Sequence, residues 1–288
     1  MNAFVVILLT ALIGGGVPVL SKIALVEFPP LTFILLRFIS STLILVPLFI
    51  REKQPLTKKI IPVVLISLFA VANVVLFSFG IRLTSATISQ MLYASVPLFA
   101  AVLSFFLLKQ KLEPKKIIGV FLGFTGVMTI ILLPLLNQSA SLGGTLVGNL
   151  IVLVAVLSFS LYTVLSKKVQ GSYSSTFMVS VFAFLTICIQ SITAYFELQQ
   201  NSQWWTTVTP AGVASLLYVG ILGTAIYYIL YQYAIKKGNP VIASMTLYLQ
   251  PIATYIWAFI LLHERLTIGF IIGALLSFTG AWLVTRKK

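Results

Sequence analysis

The chain is 288 residues long, 59% hydrophobic and only 8% charged, with a mean hydropathy of +1.09 and a formal net charge of +14. A soluble domain carries about 25% charged residues, so this composition excludes a protein solvated by water alone. The positive charge does not mark a nucleic-acid binder, because the lysines and arginines stand in short clusters between apolar runs and form no basic stripe with interleaved aromatics.

A helix that crosses a bilayer needs roughly 20 apolar residues. Ten such runs follow one another: residues 3–21, 30–50, 60–81, 86–108, 116–136, 145–166, 176–196, 211–233, 240–262 and 268–284. The first has no basic segment before it and no small-residue cleavage site, so it is expected to be a retained helix and not a signal peptide. Turn-forming residues separate the runs, among them Pro29-Pro30, Gly171-Ser172 and Gly238-Asn239-Pro240. No ten-residue alternation recurs, which argues against a membrane β-barrel. The single cysteine, Cys188, precludes an intramolecular disulfide.

Counting basic residues by alternate loops fixes an expected orientation. The connections after the second, fourth, sixth and eighth runs, with the C-terminus, hold 15 of the 19 lysines and arginines; the opposite side holds Lys22, Arg82 and Arg265. The positive-inside rule then puts both termini in the cytoplasm. The chain also repeats itself. Adding 154 carries Met91 to Met245, Pro97 to Pro251, Phe105 to Phe259 and Gly126 to Gly280 without a gap. Ten helices split five and five, and five is odd, so the second unit enters the membrane in the opposite sense. The expected fold is an all-α integral membrane protein, with ten transmembrane helices in two inverted five-helix repeats, 1–136 and 145–288. Such repeats set a binding site near the midplane between the halves.

Polar side chains in hydrocarbon are costly and should face the protein interior. The candidate cavity residues are Gln90, Tyr93 and Pro97 in the fourth run, spaced i, i+3, i+7 on one face. Ser244, Thr246, Tyr248, Gln250 and Pro251 in the ninth run join them. Each mid-run proline is expected to kink its helix and free a carbonyl, those of Tyr93 and Leu247. Asn73, Ser158, Tyr162, Tyr227 and Tyr228 complete the polar set, the two adjacent tyrosines lying too deep to be interfacial anchors. Gly14-Gly15-Gly16 before Pro18 reads either as close helix packing or as a wall where backbone, Gly15 above all, approaches a substrate. Arg37 is the one charge well inside a run. It either snorkels to the interface or contacts an anionic group of the substrate. Gly119, Gly123 and Gly126 in the fifth run, with Gly269, Gly273 and Gly280 in the tenth, form small faces suited to helix packing or to a homodimer contact.

Absences weigh as much. There is no aspartate, and the five glutamates and the lone His263 stand in loops or at helix ends. No nucleophile–base pair, metal cluster or carboxylate pair lies within the runs, so catalysis, a cofactor and a resident metal are not expected. A cation antiporter keeps a carboxylate at membrane depth, which disfavours cationic substrates here.

The ten runs, the mid-run prolines of the fourth and ninth, and the Leu-His-Glu-Arg-Leu-Thr junction at 262–267 leading into Ile-Gly-Ala at 272–274 resemble the drug/metabolite transporter superfamily, EamA type. In the first copy Gln110 stands where the second has Glu264. The resemblance implies a multi-pass carrier in a bacterial plasma membrane, exporting a small polar or zwitterionic metabolite such as an amino acid, with the bilayer and a small molecule as its partners. A flippase for lipid-linked substrates and a non-transporting assembly or sensor protein are the competing readings.

Overall fold

The computed structural model describes residues 3–52, 60–109, 114–136, 144–201, 203–237, 247 and 250–285. Among them the chain is helical, with no strand. The elements are α1 (Ala3–Glu27), α2 (Pro30–Glu52), α3 (Ile60–Leu83), α4 (Ala86–Tyr93), α5 (Val96–Leu107), α6 (Pro114–Leu136), α7 (Leu146–Val169), α8 (Ser175–Gln200), α9 (Pro210–Leu217), α10 (Tyr227–Lys237), α11 (Gln250–Leu262) and α12 (Ile268–Thr285). A π-helical segment, Tyr218–Ile226, joins α9 to α10. Eight helical stretches are long and apolar enough to cross a membrane, and α11 and α12 are shorter apolar helices.

The bundle has the distribution a bilayer demands. Large apolar side chains such as Phe106, Phe121, Phe184 and Ile268 point outward, and the interior holds both the aromatic core and many polar groups. Phe38 packs edge-on against Phe182 at 5.0 Å, Phe182 meets Tyr228 at 5.2 Å, and Phe159 meets Tyr231 at 5.2 Å. Buried hydroxyls return to their own helices: Ser67 donates to the Val63 carbonyl, Ser160 to Val156 and Thr163 to Phe159, each at 2.8 Å. That local bond removes the cost of a hydroxyl in hydrocarbon.

The fourth run differs from the expected kinked helix. It is broken at Ala94 and Ser95, and Pro97 is the second residue of α5, where it lacks no hydrogen bond that a helix would have made. The Ser95 amide turns back to the Leu92 carbonyl at 3.0 Å, closing α4 before α5 begins. In the second copy the matching position is 96 + 154 = 250, Gln250, with Pro251 next; residues 248 and 249 before it lie outside the described residues. The two helices also end alike. Lys109 and His263, again 154 apart, are the non-glycine residues with positive φ, each at 54°. A left-handed residue after the last turn is the usual helix stop.

Glycines set the closest approach. A Cβ on Gly280 would lie 2.2 Å from the Gly123 nitrogen, and one on Gly126 would lie 2.5 Å from the Gly273 carbonyl oxygen, so these faces are spent on packing α6 against α12 within one chain. The helix ends are tied in two groups. At one end the Glu197 carboxylate accepts the Leu31 and Thr32 amides at 3.1 and 2.7 Å, and Glu27 accepts the Thr209 amide at 2.8 Å. There too Glu264 accepts the Ala86 and Thr87 amides at 2.8 and 3.0 Å, and Lys22 donates to the Thr84 carbonyl. At the other end Ser174 donates to Glu52, Lys167 to the Ile235 carbonyl at 3.0 Å and Lys236 to that of Tyr173 at 3.0 Å.

Candidate functional site

A cavity lies where α1, α2, α3, α4, α7 and the π-helical segment converge with α10 and α11. Gln90 and Tyr93 come from one face of α4, as their i, i+3 spacing requires. Tyr227 and Tyr228 open α10, Gln250 opens α11, and Asn73 reaches in from α3. The Gln90 amide nitrogen donates to Gln250 Oε1 at 2.9 Å, and the Gln250 amide nitrogen donates to the Tyr227 hydroxyl at 3.2 Å. Asn73 donates to the Ala155 carbonyl at 2.8 Å and to the Tyr93 hydroxyl. Polar groups from four helices are thus linked in pairs across one space, none of them charged.

The apolar part of the lining is aromatic and small. Phe77 stands edge-on to Tyr93 at 5.7 Å, and Phe159 faces Tyr93 at 6.0 Å and Tyr228 at 6.1 Å. Gly14 gives the wall its closest point, since a Cβ there would come within 2.5 Å of the Gln250 amide nitrogen.

Arg37 also lines the cavity, and it does not snorkel. It is 3% exposed, and its Nε donates to Thr224 Oγ1 at 2.6 Å. Thr224 sits in the π-helical segment, and its hydroxyl donates to the Val219 carbonyl at 2.8 Å, five residues back. The wider π turn and Gly220 bring the two helices together. A Cβ at Gly220 would stand 2.6 Å from the Arg37 carbonyl oxygen and overlap Ser40 Oγ.

Several expected site residues lie elsewhere. Ser158 is bonded to the Phe69 carbonyl at 2.8 Å and ties α7 to α3. Tyr162 is fully buried in the aromatic core beside Phe182, at 5.9 Å. Gly15 packs against α11, where its carbonyl accepts Thr254 Oγ1 at 2.7 Å. Pro97 starts α5, and neither it nor Pro251 lines the cavity. Ser244, Thr246 and Tyr248 lie outside the described residues. The sequence reading missed Thr224, Phe77 and Phe159. The threonine looked like one more self-satisfied hydroxyl, and the phenylalanines blend into an apolar background. Glu264, the remaining acid near a candidate helix, caps α4 instead of facing the cavity.

Comparison with known families settles the kinship. The EamA-like transporter family matches residues 1–132 and again 146–286. The chain belongs to that family. An uncharacterized transporter of Archaeoglobus fulgidus is 29% identical over 285 residues, covering 97% of this chain and 96% of its own length. The uncharacterized transporter YoaV of Bacillus subtilis is 28% identical, covering 97% of this chain and 95% of its own. The WAT1-related protein At3g53210 of Arabidopsis thaliana is 26% identical over 90% of this chain and 78% of its own. All fall in the drug/metabolite transporter superfamily. One solved crystal structure superposes over 99% of this chain and 97% of that one, with a TM-score of 0.66 at 16% identity, a likeness of fold alone. This EamA-family chain is therefore a multi-pass membrane protein, with a polar, aromatic-lined cavity between its helices.

Proposed function

We propose that this EamA-family protein is a secondary transporter that exports a small polar or zwitterionic metabolite, such as an amino acid, across a bacterial plasma membrane. The substrate binds between two inverted five-helix repeats, 1–136 and 145–288, that rock to give alternating access. The observation that carries this reading is the Gln90–Gln250 bond, which joins one side chain from each repeat across the cavity. A pair that bridges two halves holds them together when the site is empty, and it offers donors and acceptors to a substrate that replaces it.

The topology has independent support. Leu31, Glu27, Lys22, Thr84, Glu197, Thr209 and Glu264, which the basic-residue count puts on the outer side, bond among themselves or to neighbours at that end. Glu52, Lys167, Tyr173, Ser174 and Lys236, on the expected cytoplasmic side, do the same. That sorting favours the antiparallel helix order, and the basic-residue count then favours both termini in the cytoplasm. A second crevice, walled by Leu45, Phe49, Val64, Phe177 and Phe184, is apolar and shares no lining residue with the cavity. The hydrogen-bonding groups of the cavity, absent from that crevice, favour a small polar metabolite over a lipid-linked substrate.

The test compares metabolites outside cells with and without the protein, then repeats the comparison with Gln90→Leu and Gln250→Leu. Export is expected to fall at least about ten-fold in each variant while the amount in the membrane is unchanged. Undiminished export by both variants would remove these residues from the site.

A further inference from the structure

The cavity contains one fixed charge, and nothing described in the chain balances it. Arg37 makes a single hydrogen bond through Nε, so the two terminal nitrogens of its guanidinium have no partner among the described residues. Thr224, which accepts that bond, is a neutral hydroxyl already committed to the Val219 carbonyl. Phe38 lies under the guanidinium at 5.6 Å, which softens the field but supplies no negative charge. The chain has no aspartate. The described glutamates are engaged at the helix ends: Glu27 with Thr209, Glu52 with Ser174, Glu197 with Leu31 and Thr32, and Glu264 with Ala86 and Thr87. Glu113 lies outside the described residues.

A guanidinium cannot relieve its burial by losing a proton, unlike a lysine. An unpaired charge at this depth is expensive, and charges in membrane-spanning helices either pair or serve a function. The phenols of Tyr93 and Tyr228 flank Arg37, but phenols stay protonated at neutral pH and donate no charge. The remaining source of a counter-charge is the molecule that enters the cavity. The free terminal nitrogens offer two parallel N–H donors, the geometry that grips a carboxylate.

We infer that the substrate is a net monoanion whose carboxylate is held by Arg37, with its neutral polar groups on the Gln90–Gln250 pair and its apolar part against Phe77 and Phe159. This inference rests on the carrier reading above and narrows it to an anionic polar metabolite, setting its zwitterionic alternative aside. A zwitterion brings an ammonium group for which no described lining residue offers a carboxylate, and a cation meets Arg37 unscreened. A dianion leaves one negative charge in excess. One arginine and one carboxylate cancel, so the loaded site is neutral while the empty site is charged. The protein then rearranges more readily with substrate bound than without it.

The deciding experiment compares extracellular metabolites of cells making the wild-type protein, Gln90→Leu, Arg37→Gln or Arg37→Lys with those of cells lacking it. Membrane level and monodispersity in detergent are checked for each variant. The compounds that rise with wild type and fall back with Gln90→Leu are expected to carry one net negative charge at cytoplasmic pH. Arg37→Gln is expected to cut their export at least about ten-fold, and Arg37→Lys, which keeps the charge but not the fork, to retain part of it. Exported compounds that are zwitterionic, neutral or cationic would overturn the inference and leave the carrier reading standing. Anion export by Arg37→Gln at the wild-type rate would do the same. No difference between wild type and cells lacking the protein would overturn both. If Arg37→Gln fails to reach the membrane, the net charge of the wild-type cargo still decides the matter.

Discussion

Gly14 and Gly15 are neighbours in sequence and do different work, which makes them a sharp test of where the site ends and the scaffold begins. A methyl group on Gly14 meets the end of the Gln250 side chain at 2.5 Å, a group that can swing away, and the Tyr227 ring at 2.8 Å. Gly14→Ala is therefore expected to lower thermal stability in detergent less than Gly15→Ala does, and to weaken transport by displacing the Gln250 amide from Gln90. A methyl group on Gly15 meets Ala253 Cβ at 2.5 Å and the Gln250 carbonyl oxygen at 3.2 Å, neither of which can rotate out of the way. Gly15→Ala is expected to cost about 1–3 kcal/mol, seen as a lower melting temperature, because overpacking must shift α1 from α11. Equal effects of the two substitutions on stability would mean that the cavity wall has no give at Gly14. The sequence singled out Gln90, Tyr93, Asn73 and Gln250 because each polar side chain in hydrocarbon needs a reason to be there. It could not separate Gly14 from Gly15, or Ser158 from the cavity set. That distinction is one of helix rotation, and a triple glycine or a serine-rich face looks alike from either side.

At the scale of elements, the repeat is preserved in backbone geometry more than in side chains. Gln90 has Ser244 as its counterpart, and Gln250 has Val96, so the two glutamines that meet are not repeat mates. What recurs is the left-handed residue that stops the helix after the proline, Lys109 in one copy and His263 in the other. The sequence located Pro97 but took it for a kink inside a continuous helix. A proline at a helix start and one at a helix bend have the same residue signature, and only the turn at Ala94 and Ser95 separates them. The runs were read as ending at 108 and 262, but the left-handed conformation that stops each helix was not, because neither Lys109 nor His263 is a glycine. An L-residue in the left-handed region costs roughly 1–2 kcal/mol. His263→Gly is accordingly expected to stabilise the protein by about 1 kcal/mol, measured as a higher melting temperature, and an unchanged value would mean the position carries no strain. The adjoining Glu264 acts in the opposite direction. Its carboxylate takes two amides that α4 leaves unbonded in its first turn, next to the positive end of the helix. Glu264→Ala is expected to cost about 1–2 kcal/mol, in the range of a lost helix cap. An unchanged melting temperature would mean that water replaces the carboxylate there.

For the whole molecule, the basic-residue count and the hydrogen bonds at the helix ends are independent, since one uses charge and the other contact. They sort the ends of the helices into the same two sets. The proposed inversion of the halves makes this sorting consequential: Lys22 and Lys167 each stand near the end of the first helix of their half and each donates to a carbonyl near the end of the third, yet they belong to opposite sets. A direct measurement of sidedness uses α8. Its 26 residues extend about 39 Å at 1.5 Å per residue, enough to cross a hydrocarbon core of about 30 Å, so the exposed Ser172 before it and the exposed Gln203 after it must lie on opposite faces. Single cysteines are placed at each position in turn, in a Cys188→Ser background that removes the native thiol. A membrane-impermeant maleimide applied to intact cells is expected to label the cysteine at 203 and to reach the one at 172 only after permeabilisation. Labelling of both from outside would break the antiparallel relation of the two halves, and with it the alternating-access reading. The reverse pattern would keep the inverted repeat and place both termini on the outside, so that the basic clusters would face away from the cytoplasm and the positive-inside argument would fail for this chain.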